Sequence, residues 1–145
     1  MDGLEKYDAL KLRLTIDLLR IDQEIAQMPQ LVQEAGELAA ASNDEENASR
    51  LALDVIRTEA AARLREVESG SKPRSETMID SMLNGEEDVQ AARVAYDAAR
   101  LQSSRWNNLL SAMREKSRLL GKAADLTVAG YITPSSYAPG RREKK

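Results

Sequence analysis

Four cations stand within twelve residues of one another. Arg63 and Arg65 come first, and Lys72 and Arg74 follow beyond Gly70. Only Glu66 and Glu68 oppose them in the same stretch. A loop flanked by cations can follow a phosphate backbone, because each neutralised phosphate releases bound counterions. A second account fits Arg63 and Arg65 equally well. At the end of a helix they would complement the negative pole of its dipole. The acidic clusters Glu45-Glu46 and Glu86-Glu87-Asp88 hold potential metal-ligand oxygens. Both fall where a helix should begin, and that placement accounts for them without a metal.

The composition excludes much other chemistry. The chain has 145 residues, with no His and no Cys. This removes an imidazole base, a thiol nucleophile, a zinc-finger ligand set and any disulfide framework. The glycines have neither phosphate-loop nor dinucleotide-binding spacing. No pair of carboxylates is forced into an apolar setting. The expectation is a protein without catalytic residues, without a metal and without a cofactor. Trp106 is the single Trp. It could stack on a base, but Leu109 and Leu110 beside it assign it to a core or a subunit interface.

The longest element runs from about Glu86 to Val128. Val89, Ala92, Tyr96, Ala99, Ser103, Trp106, Leu110, Met113, Ser117, Leu120 and Ala124 recur at alternating steps of three and four. This spacing predicts one narrow apolar stripe on a long helix. Arg105, Arg114, Lys116, Arg118 and Lys122 are expected on its solvated outer faces. Upstream, residues 4–40 carry a heptad pattern that Pro29 should kink or split. Ser42-Asn43-Asp44-Glu45 has the spacing of a capping box, so a new helix is expected over 44–68. A loop by composition precedes a short helix over 75–83. Residues 131–145 contain Pro134, Pro139 and a run of cations, and read as a flexible basic tail.

Charge is divided along the chain. Residues 1–60 hold 6 basic and 13 acidic side chains, whereas residues 91–145 hold 11 and 4. Solvated helix faces and a basic end meeting an anionic partner both explain that polarity. There is no Phe, and Ala supplies much of the apolar fraction. Stripes this thin bury little area at ~25 cal/mol per Å². The fold class expected is all-α, an elongated helical hairpin or bundle in one domain over 1–130, assembling as a homo-oligomer. Tyr96, Trp106, Leu110, Met113 and Leu120 should supply its core or oligomer interface. No apolar run approaches the ~20 residues that span a bilayer. With no signal-peptide pattern at the N-terminus, a cytoplasmic protein with no membrane partner is expected.

From Ala61 onward the order of features resembles the UvsY-type recombination mediators of tailed bacteriophages. The residues that carry the likeness are Ala62-Arg63-Leu64 at a helix end, Gly70 in a loop, Ser75-Glu76 opening a short helix, Glu87-Asp88-Val89 opening a long one, and Trp106 with Leu109-Leu110 in its stripe. The resemblance covers roughly residues 48–128. It implies an all-helical protein that assembles into a homo-oligomeric ring, a hexamer or heptamer. The ring would bind single-stranded DNA in the cytoplasm of a bacterial host. There it would help a RecA-like recombinase replace single-strand-binding protein. Ala61 stands where the family's helix-end segment carries Lys, so Arg63, Arg65, Lys72 and Arg74 would make the DNA contact. The alternative is a structural coiled-coil or scaffold protein that binds only protein.

Overall fold

The computed structural model describes residues 3–66 and 75–130. All regular structure among them is helical: α1 (Gly3–Leu12), a single 3-10 turn (Leu18–Arg20), α2 (Ile21–Glu66), α3 (Glu76–Leu83) and α4 (Glu87–Val128). Among the described residues no helix is long and apolar enough to cross a membrane. The loop cations Lys72 and Arg74 and the basic tail at 131–145 lie outside the described residues.

Two boundaries differ from the sequence expectation. The helix expected to kink or split at Pro29 is not split there, and the break lies earlier, between Leu12 and Leu18. There Asp17 adopts an extended conformation and its carboxylate accepts the Leu19 N–H at 3.0 Å. Pro29 lies inside α2 with its ring on the exposed side. Its missing N–H leaves the Ile25 carbonyl without the usual helical donor. The second correction concerns residues 40–44. The expected cap at Ser42 does not form, and α2 continues through it without interruption. Ala35, Ala39 and Ser42 are buried, and Glu46, Ser49, Leu53 and Ile56 are half-buried, at steps of three and four. The heptad register thus never leaves its phase, and no Gly or Pro falls between Gly36 and Glu66. Burial of a continuous stripe outweighs a local cap worth ~1 kcal/mol.

The chain forms two compact units, Met1–Ala39 with Trp106–Lys145, and Ala40–Arg105. In the first unit, α2 and α4 run antiparallel. Gly36 faces Leu110, where an added methyl would stand 3.9 Å from the Leu110 side chain, and Glu24 reaches Lys116. The core between them holds Met28, Ala35, Trp106, Leu109, Met113 and Leu120, and α1 adds Leu10. In the second unit, α2 and α4 again run antiparallel, with α3 closing one end. Ala60, Ala61 and Leu64 pack with Ile79, Leu83 and Val89. Small side chains on α2 here let the helices approach closely.

α3 opens on Ser75, whose hydroxyl accepts the Met78 N–H at 3.3 Å. It ends at Asn84, and the Asn84 carbonyl accepts the Gln90 side-chain amide from α4 at 2.8 Å. A methyl on Gly85 would meet the Met82 carbonyl at 3.3 Å, so the tight α3–α4 turn favours a residue without Cβ.

A small polar layer crosses the second unit. The Ser103 hydroxyl is buried and donates to the Asn43 side-chain oxygen at 2.7 Å. Next to Asn43 in the chain, the Ser42 hydroxyl is buried and has no hydrogen-bond partner among the described residues. Ser42→Ala should therefore stabilise the protein. Removing an unpaired buried hydroxyl and gaining helix propensity together contribute ~1 kcal/mol. Urea denaturation should show a higher midpoint at unchanged slope. A lower midpoint would mean that the hydroxyl is engaged in solution.

Candidate nucleic-acid interface

The two described members of the expected DNA-contact set stand on the last turn of α2. Both guanidinium groups are about half exposed, and both are held by carboxylates of the second unit. Arg63 Nη2 donates to Asp88 Oδ2 at 2.6 Å, and Glu86 Oε2 lies 3.8 Å away. Arg65 Nη2 donates to both oxygens of Glu76, at 2.9 and 3.1 Å. The hydrogen bond to Asp88, with its charge, raises the Arg63 guanidinium above its ordinary value. The same hydrogen bond lowers the Asp88 carboxyl, whose second oxygen also accepts the Val89 N–H at 3.0 Å. Arg63 thus ties the end of α2 to the start of α4, and Arg65 ties it to α3. Any phosphate at this helix end competes with carboxylates already in place. The dipole account and the ion pairs together explain both residues structurally.

The second basic group divides. Arg105, Arg114 and Lys122 are exposed and make no ion pair among the described residues. Arg118 is exposed and pairs with Glu115 one turn earlier, through Nε at 2.8 Å and through Nη2. That hydrogen bond lowers the Glu115 carboxyl and raises Arg118.

Lys116 is a correction. It is not on a solvated face but buried, with 4% of its surface exposed. Its ammonium donates to the Arg13 carbonyl at 2.5 Å, the Thr15 carbonyl at 2.9 Å and the Glu24 carboxylate. The carbonyls belong to the stretch where α1 has ended and α2 has not begun. They have no helical partner, and Lys116 supplies one. All three ammonium donors are used. No spacing rule marks Lys116, because the expected stripe position is its neighbour Ser117, which is exposed.

Of the five residues expected in the core or oligomer interface, Trp106, Met113 and Leu120 are buried within the first unit, and Leu110 is half-buried there. The Trp106 ring meets Tyr7 of α1 edge to face, with centroids 5.4 Å apart and planes at 81°. The indole is therefore enclosed by its own chain and is not presented to a base. Tyr96 is half-buried in the second unit.

Tyr96 belongs to a feature that the sequence reading missed. Leu53 and Arg57 of α2, Asn84, and Val89, Arg93, Tyr96, Asp97 and Arg100 of α4 line a groove of about 300 Å³. Arg57, Arg93 and Arg100 are exposed and make no ion pair among the described residues. The signal was available in the spacing. Arg93, Tyr96 and Arg100 recur at three and four along one face of α4. Among the described residues no cluster of three or more potential metal-ligating side chains occurs. Comparison with protein families, with curated proteins and with solved structures yields no match.

Proposed function

We propose that the protein is a single-stranded-DNA-binding accessory factor of the recombination-mediator type. It acts as a homo-oligomeric ring in the cytoplasm of a bacterial host, and assists a RecA-like recombinase in displacing single-strand-binding protein. It makes and breaks no covalent bond. The observation that supports this reading is the order of elements at the α2–α3–α4 junction. The Arg63-bearing helix end, the short helix capped by Ser75, and the long helix opening at Glu87 follow one another as they do in the sequence pattern that resembles the UvsY-type mediators. In a ring, each copy presents its basic surface to one strand. Weak contacts then act together through effective concentration.

One observation favours a second reading, a scaffold that binds only protein. Arg63 and Arg65 already have carboxylate partners. Fluorescence anisotropy with a labelled oligonucleotide, at low and high salt, separates the two. A mediator binds at low micromolar concentration and weakens as salt rises. Absence of binding at low salt would leave the scaffold. Sedimentation equilibrium should give a species larger than a dimer, and a monomer at tens of micromolar would remove the ring.

A further inference from the structure

We propose that the groove between α2 and α4, lined by Arg57, Arg93, Arg100 and Tyr96, is the path of single-stranded nucleic acid on each subunit. The inference rests on the DNA-binding reading above and relocates its contact away from Arg63 and Arg65. Three features of the groove carry it.

The first is the state of the cations. Three guanidinium groups line one groove of about 300 Å³, and one carboxylate, Asp97, shares it. None of the three arginines has an ion-pair partner among the described residues, whereas Arg63, Arg65 and Arg118 all do. A guanidinium presents a rigid fork of donors that matches phosphate oxygens two at a time. The groove arginines offer that fork without first displacing a carboxylate.

The second is the aromatic. Tyr96 sits one turn from Arg93 and one turn from Arg100, and its ring is half-buried in the groove wall. A phenol lining a cationic groove can stack a base, and such stacking tolerates any sequence. Trp106 does not have this freedom, since Tyr7 closes on it.

The third is reach. Arg93 and Arg100 are seven residues apart on a helix that rises ~1.5 Å per residue, a span of ~10 Å. At ~3.4 Å per nucleotide, the spacing of a strand stacked as in a duplex, this matches about three nucleotides. Arg57 stands across the groove on α2. An acidic peptide would satisfy the arginines too, but it gives Tyr96 no base to stack. The observations therefore favour nucleic acid.

The test measures anisotropy of a labelled oligothymidylate against salt for the full chain. Arg57, Arg93 and Arg100 are replaced together by Gln, and Tyr96→Leu is made separately. If the groove holds the strand, the triple variant binds more weakly. Its slope of log affinity against log salt falls by about 2, because each lost phosphate contact removes ~0.7. Tyr96→Leu keeps the slope and loses about tenfold in affinity, as expected for one stacked base. Helix content by circular dichroism checks the fold. Should the triple variant not fold, each single Arg→Gln variant removes ~0.7 from the slope on its own. Arg→Lys at the three positions keeps the charge and should keep most of the slope.

If the native protein binds the oligonucleotide and the triple variant binds it equally, with the same slope, the groove is not the path and the DNA-binding reading stands. If the native protein binds no oligonucleotide but binds a poly-glutamate peptide through the three arginines, the nucleic-acid assignment is overturned. If it binds neither, the DNA-binding reading fails, and the groove assignment with it.

Discussion

Replacing Lys116 by Met should lower the stability of the protein by about 3 kcal/mol, a large loss for a single side chain in a chain of this size. The ammonium is buried, and its three donors go to the Arg13 carbonyl, the Thr15 carbonyl and Glu24. Met fills the volume of the aliphatic stem and supplies none of the donors. Two carbonyls and a carboxylate are then left together with no cation, and all three carry negative charge or partial charge. Removing one partner of a fully buried pair costs ~3–5 kcal/mol. The Glu24 side chain retains 22% of its exposure, so water relieves part of that and the lower figure applies. At a urea slope of ~2 kcal/mol per M, the midpoint falls by about 1.5 M. The double variant Lys116→Met with Glu24→Leu should recover part of the loss, because removing both charges costs less than stranding one. A midpoint within about 0.3 M of the native protein would show that Lys116 reaches water in solution.

Trp106→Ala should cost ~3–5 kcal/mol, the usual range for truncating a buried large aromatic. The indole is 4% exposed and lies in the core that joins α1, α2 and α4 in the first unit. Its edge-to-face contact with Tyr7 adds to area burial, by ~1 kcal/mol for such pairs. Trp106→Phe keeps a ring against Tyr7 and should lose less than half as much. Both are measured by thermal or urea unfolding. A Trp106→Ala variant that folds and assembles normally but no longer binds oligonucleotide would contradict the placement of the indole in the core.

Much of α4 is legible in the chain. Of the eleven stripe positions from Val89 to Ala124, ten are buried or half-buried. The exception is informative. The seam passes through Lys116 and leaves Ser117 exposed, because an internal need for a cation overrides the preference for a small side chain. That need is set by carbonyls about a hundred residues away, at Arg13 and Thr15. Periodicity within one helix carries no trace of them. The continuity of α2 was only partly legible. Pro29, the cap spacing of Ser42 and Glu45, and the polar residues Ser42, Glu46 and Ser49 all argue for a break, yet buried and half-buried positions keep steps of three and four from Met28 to Ala60. The ion pairs of Arg63 and Arg65 were not legible. Their partners, Asp88 and Glu76, stand 25 and 11 residues away and meet them only because α3 folds back. The arginine groove was half legible. The α4 face could be written down from spacing, but the arrival of Arg57 from α2 required the packed structure.

The sequence separations of the cross-helix bonds carry a consequence for how the chain reaches its native state. In the second unit, Arg65 meets Glu76 across 11 residues, and Arg63 meets Asp88 across 25. Ser103 meets Asn43 across 60. In the first unit, Lys116 meets Glu24 across 92 and Arg13 across 103. Closing a loop costs chain entropy that rises with its length, by ~0.6 kcal/mol for each doubling. Contacts near α3 therefore close with the least entropy, and each pair formed shortens the effective loop for the next. The α3 turn acts as the starting point of a zipper, and the Lys116 clasp on the α1 end is its last tooth. The same order sets local opening in the native protein. The clasp can release α1 without disturbing the α3 end, so amide exchange should be fastest in α1 and slowest beside α3.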